Sequence, residues 1–376
     1  MNIKDTPNSL RTGAGIAAKK PRSSNLELYR IICMLMIVAH HFVVNSGAFK
    51  TGGPILSDPM SVNSIYLTLF GAWGKTGINC FLMITGYFMC TSKITLRKFV
   101  KLIAQVYFYE LIIYTILLIA GYETVSINRA RFLVIPFWGF KDNFVSCFMG
   151  FWLTIPFLNI LVRNMTKRQH ELLLVLLLGF YTILGSIPTF YIGMEYIVWF
   201  GVIYLIASYI RLYPNKLFVK RSFWGYMTLV NVIIAMISIV GMQYVFGRWS
   251  FFVSDSNRFF AVTTAILSFL WFKNLNIRYS KVINAFGAGT FGVLLIHANS
   301  NAMRTWLWKD TVDVVGHYSL PIGSLIVYSI GVVFAVFVIC NLIDQLRIYT
   351  IETWFFKWYD SKIATKAEGF IERIIR

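Results

Sequence analysis

Ten stretches of this chain are apolar over a helix length, and most charges fall between them. They lie at about 28–46, 76–91, 99–121, 144–162, 171–188, 195–211, 223–246, 259–272, 284–300 and 321–344. A helix needs roughly 20 such residues to cross the hydrocarbon, and barrel strands are about half that length. Only helices and closed barrels satisfy every backbone group in lipid. The expected fold is therefore an all-α polytopic membrane protein of about ten transmembrane helices. Composition agrees: 57% of residues are hydrophobic, 14% are charged and mean hydropathy is +0.65. A typical soluble domain carries about 25% charge. Two of the runs are short, which implies tilted or broken spans. The segment 61–73 reads as an interfacial helix leading into the second span.

Lys and Arg placement sets the orientation. With the N-terminus inside, the inner segments hold 25 of these residues and the outer ones nine. Both termini are expected to be cytoplasmic. Residues 1–24, polar and Gly/Ser/Lys-rich, read as a disordered cytoplasmic tail. Residues 25–345 form the membrane domain, and 346–376 a basic, amphipathic cytoplasmic tail rich in aromatics. The net charge of +19 reflects this topology and attraction to anionic lipid head groups rather than nucleic-acid binding. Cysteines 33, 80, 90, 147 and 340 are odd in number and scattered, which argues against a disulfide framework and a metal site. No GxGxxG, P-loop, GxSxG or HExxH motif is present.

The first span, "NLELYRIICMLMIVAHHF", carries groups that a plain anchor does not need. Arg30 and His41 are eleven residues apart, almost three helical turns, so they share a face about 16 Å apart. Glu27 stands one turn before Arg30 and can pair with it. His40 points about 100° away. One reading is a snorkelling Arg30 with histidines satisfied by neighbouring helices. The other is a polar path, since ionisable groups within the bilayer usually mark function. Glu110, in the middle of the third span, suits a structural partner or a functional carboxylate equally well. His297 lies near the outer end of the ninth span.

These features resemble the acyltransferase-3 family of membrane O-acyltransferases. The signature Arg, ten residues and His stand at Arg30 and His41. The resemblance continues through "GKTGINCFLMITGYFM", "FWLTIPFLNIL", "FGVIYLIASYIRLY" and "GTFGVLLIHAN" and covers about 25–345. One departure is that Lys98 and Lys101, beside Arg97, stand where the family commonly has an Arg-x-x-Arg pair. Lysine keeps the charge but loses the bidentate fork.

The resemblance implies transfer of an acetyl group from cytosolic acetyl-CoA to a hydroxyl of an extracytoplasmic or lipid-linked polysaccharide. The protein would then sit in a bacterial plasma membrane, with acetyl-CoA as a substrate and no permanently bound cofactor. Arg30, Arg97, Lys98 and Lys101 would hold the CoA phosphates while the pantetheine arm reaches inward. His41 would act as the base or carry the acetyl group, with Arg30 and Glu27 on the same stripe. Asn79, Thr85 and Tyr87 are candidates to stabilise the oxyanion. The alternative is a proton-coupled transporter or flippase of a glycolipid or small solute, using the same polar groups.

Overall fold

Helix α1 (Ser24–Val44) is the element around which the others pack. Glu27 in its first turn complements the helix dipole. Most of its side chains face protein rather than lipid, and it contributes to two separate apolar clusters. Met34, Ile37 and Val38 belong to one cluster. Leu26, Tyr29 and Cys33 belong to the other. The structure is a computed structural model that describes residues 23–92, 94–127, 143–190, 192–247 and 250–363. The expected N-terminal tail through Arg22, the basic residues Arg129, Arg131, Lys141 and Arg248, and residues 364–376 lie outside the described residues.

After α1 the chain makes a short turn of helix, α2 (Pro54–Ser57), then α3 (Val62–Gly71), α4 (Gly74–Met89) and α5 (Leu96–Ile119). Then come α6 (Phe144–Asn164), α7 (Lys167–Leu178), α8 (Tyr196–Leu212), α9 (Arg221–Phe246) and α10 (Phe259–Lys273). The remainder is α11 (Lys281–Ala288), α12 (Thr290–His297), α13 (Asn301–Thr305), α14 (Ile322–Arg347) and α15 (Thr353–Lys362). No strand occurs among the described residues. Side-chain caps start several helices: Ser61 accepts from Ser64 N at 3.2 Å, and Thr166 and Gln169 form a capping box. Helix α9 ends at Gly247, whose φ of 61° suits glycine.

Each of the ten expected segments contains helix. Among the described residues, six helices are long and apolar enough to cross a membrane: Ser24–Val44, Leu96–Ile119, Phe144–Asn164, Lys167–Ser186, Arg221–Phe246 and Ile322–Lys362. A bent pair, Lys281–His297 with Asn301–Thr311, makes a seventh if counted as one span. Helices α4, α8 and α10 are shorter. The segment 61–73 is helical, as α3.

One boundary differs from the sequence expectation. The ninth segment, read as one span over 284–300, breaks at Gly289 and turns by 95° after His297. Ser300 accepts from Met303 N at 3.1 Å, which starts a new helix in a new direction. The residues expected as a tail from 346 follow the last span directly. Helix α14 runs through a π turn at Ile348–Glu352 into α15.

Side-chain hydrogen bonds gather the loops into two groups. Asn25 bonds to the Phe272 and Lys273 carbonyls, Asn274 to Phe218, and Tyr213 to Met165. These loops therefore lie at the Glu27 end of α1. At the His41 end, Lys75 pairs with Asp255 at 3.9 Å, and Ser61 and Ser64 bond to the Tyr318 hydroxyl. Helix α9 presents Ile233, Ile237 and Val245 outward. In a membrane protein that is a lipid-facing surface, not a defect.

Helix α4 packs on α1, α8 and α10, and small residues set how closely. A Cβ on Gly74 would lie 2.3 Å from His40 Cγ, and one on Gly77 2.9 Å from the Cys33 carbonyl oxygen. Overpacking a fitted interface typically costs about 1–3 kcal/mol. Gly74→Ala is expected to lower the unfolding midpoint in detergent. An unchanged midpoint would mean that α1 and α4 do not meet this closely.

Candidate functional site

The candidate active site sits at the His41 end of α1, where α12 comes alongside. Its centre is a histidine pair from distant parts of the chain: His41 Nδ1 lies 2.9 Å from His297 Nε2. The second imidazole is fully buried, and its Nδ1 lies 2.6 Å from the Val293 carbonyl oxygen one turn earlier on α12. A carbonyl only accepts, so His297 Nδ1 carries the proton and Nε2 the lone pair. His41 Nδ1–H must then donate to that lone pair. His41 Nε2 is left with its own lone pair and no partner among the described residues.

A cavity of about 170 Å³ opens beside this pair. Sites for drug-sized ligands run from about 300 Å³ upward, so this one suits the reacting end of a molecule. His40, His41, Lys75, Glu110, Tyr196, Asn299 and Arg304 are on its wall. Asn299 Nδ2 lies 3.3 Å from Glu110 Oε1. Lys75 Nζ bonds to the Tyr196 hydroxyl and pairs with Asp255. The guanidinium of Arg304 bonds to the Ala298 carbonyl at 3.2 Å. Three of the intramembrane groups singled out from the sequence, His41, His297 and Glu110, therefore converge on one place.

His40 lines the same cavity with a different task. Its Nδ1 is 2.7 Å from the Gly71 carbonyl oxygen, and its ring rests on Gly74. It ties α1 to the α3–α4 turn.

The remaining predicted residues lie elsewhere. Asn79 is fully buried: its Nδ2 donates to the Ser256 carbonyl at 2.6 Å and its Oδ1 accepts from Trp199 Nε1 at 2.9 Å. It clamps α4 to α8 and the loop before α10. The Thr85 hydroxyl donates to Phe81, and the Tyr87 hydroxyl accepts from Arg211. Neither these two nor Asn79 is on the cavity wall.

At the far end of α1, Glu27 and Arg30 pair at 3.9 Å, with Glu27 buried against Gly287 of α11. Beyond them the cations at the start of α5 meet carboxylates from the C-terminal helix. Arg97 makes two bonds to Asp360, at 2.8 and 2.9 Å, and Lys101 bonds to Glu352. Hydrogen bonding from Arg97 holds the Asp360 carboxyl below its ordinary range. Lys98 is exposed on the same turn. A buried group underlies this patch: Arg347 bonds to Asp344 and Glu352, both at 2.8 Å, and Tyr109 donates to Asp344 at 2.8 Å. Asp344 and Arg347 had no place in the sequence reading. A carboxylate and a guanidinium at i and i+3 near the end of an apolar run were the available signal.

The family model for the acyltransferase domain matches residues 23–343. That span holds the histidine pair and the residues of the cavity wall. Compared with curated proteins and with solved structures, the chain gives no match. Matching over most of its length, the chain belongs to the acyltransferase-3 family and is a multi-pass membrane acyltransferase.

Proposed function

We propose that the protein is an O-acetyltransferase that takes acetyl groups from cytosolic acetyl-CoA. The acceptor is a hydroxyl on an extracytoplasmic or lipid-linked polysaccharide, and the protein crosses a bacterial plasma membrane ten times with both termini inside. The observation that carries this reading is the fixed histidine pair, which leaves His41 Nε2 as a lone pair facing the cavity. A sugar hydroxyl is a weak nucleophile at neutral pH and needs such a base.

In this reading Nε2 takes the hydroxyl proton as the oxygen attacks the thioester carbonyl. Collapse of the tetrahedral intermediate breaks the C–S bond. The proton then passes from Nε2 to the departing thiolate, giving ester and free CoA. Arg30 lies about 16 Å along the helix from His41, a distance that an extended pantetheine arm covers. Glu27 orients Arg30. Arg97, Lys98 and Lys101 would exchange carboxylate partners for CoA phosphates. Membership of an acyltransferase family weighs against the transporter alternative.

His41→Ala is expected to reduce acetyl transfer by about 10²–10⁴-fold while the protein still inserts. His297→Ala should lose less, since it holds the base without touching the substrate. His40→Ala should retain most of the rate and lose stability instead. Equal losses in His40→Ala and His41→Ala would sink the assignment.

At the donor end, Lys98→Ala and Lys101→Ala are expected to weaken acetyl-CoA binding, and salt should mimic them in the wild type. Asp360→Asn, which releases Arg97, should tighten binding. Each change is expected to be a few-fold, since exposed ion pairs are worth about 0–1 kcal/mol. Donor affinity indifferent to all of these would remove the phosphate role.

The topology is checked by cysteine labelling from outside. Reporters at 52, 255 and 312 should react and those at 166, 217 and 278 should not. Reaction at two of the second set would refute ten spans with the N-terminus inside.

A further inference from the structure

The attack on a thioester places negative charge on its carbonyl oxygen, and something in the cavity has to receive it. The donors suggested by the sequence are spent elsewhere. Asn79 Nδ2 is bonded to Ser256, the Thr85 hydroxyl to Phe81, and neither is on the cavity wall. On the wall, Asn299 Nδ2 points at Glu110, and Lys75 is held by Tyr196 and Asp255.

Arg304 is different. It reaches the cavity because the chain turns by 95° after His297, and the new helix carries it back toward the histidine pair. It lines the same cavity wall as His41. A guanidinium has five N–H donors. Here one bonds to Ala298 at 3.2 Å and one to Asn301 Oδ1 at 3.4 Å. These contacts anchor the group to its own bend. Its Nε is shielded from water and has no partner among the described residues. A desolvated cation with unspent donors is costly to maintain, and charge developing on a bound substrate would repay that cost. Preorganised donors of this kind favour the transition state over the ground state.

We propose that Arg304 is the oxyanion-stabilising catalytic residue of this site, a proposal that rests on the acyl-transfer reading above. As the C–O bond forms, the carbonyl π electrons move to oxygen, and the guanidinium donates to that oxygen. When the electrons return, the C–S bond breaks and the thiolate takes the proton held by His41.

The test is steady-state kinetics with acetyl-CoA on wild type, Arg304→Gln, Arg304→Lys and Arg304→Ala, together with donor binding and the unfolding midpoint. Arg304→Gln should lose about 10²–10³-fold in kcat, as for other oxyanion donors, with donor affinity unchanged. Arg304→Lys keeps a charge but not the planar fork, and should remain close to Arg304→Gln. If the Gln variant fails to insert, the Lys variant carries the test. Added methylguanidine should raise the rate of Arg304→Ala and not that of His41→Ala. An unchanged kcat, or a loss seen only in KM, would overturn the proposal. If wild type is active and His41→Ala is dead while Arg304→Gln works normally, this proposal alone fails. A wild type with no transferase activity fails both readings.

Discussion

A central helix packed among others in a membrane cannot carry ionisable groups unless the surrounding helices supply their partners. In hydrocarbon there is no water to do so. Helix α1 meets that constraint at both ends: Glu27 and Arg30 pair at one end, and His41 finds His297 at the other. Its neighbours follow from this. Helix α11 must bring a glycine, Gly287, against Glu27, and α4 must bring Gly74 against His40. Helix α12 must place an imidazole within 3 Å of His41, and a backbone carbonyl must orient that imidazole. Position on this bundle is dictated by satisfying α1.

The sequence made visible what depends on local spacing. Each of the ten apolar runs contains helix, and the eleven-residue step from Arg30 to His41 puts both residues on one face of α1. Position along the ninth run put His297 near the same end of the protein as His41. Contacts between residues far apart in the chain were not legible. The partners of Arg97 and Lys101 are Asp360 and Glu352, more than 250 residues away, so these cations read as unoccupied. Asn79 looked like an intramembrane polar candidate because its partners, Ser256 and Trp199, come from distant parts of the chain.

Arg304 was missed for another reason. From the sequence it reads as a cation in an outer loop that bears only on orientation. The stretch "HANSNAMRTW" does contain the signal: polar residues end one helix, and Ser300 caps the next. What spacing alone does not give is the angle of the bend, and the angle decides whether Arg304 faces solvent or the cavity. A broken helix inside a membrane domain is tolerated where its irregular backbone lines a cavity. The break and the cavity are therefore two views of one feature.

The direction of the histidine bond bears on the chemistry more than its length does. Because Val293 can only accept, His297 is held with its lone pair toward His41 and cannot donate in return. A proton arriving at the pair has two possible sites. At His297 Nε2 it would break the bond that orients the base. At His41 Nε2 it breaks nothing, since Nδ1–H still donates, and the bond becomes charge-assisted and stronger. The arrangement thus steers proton uptake to the one nitrogen that faces the cavity. The interaction tightens as the proton is taken from the acceptor, which is when the reaction needs it.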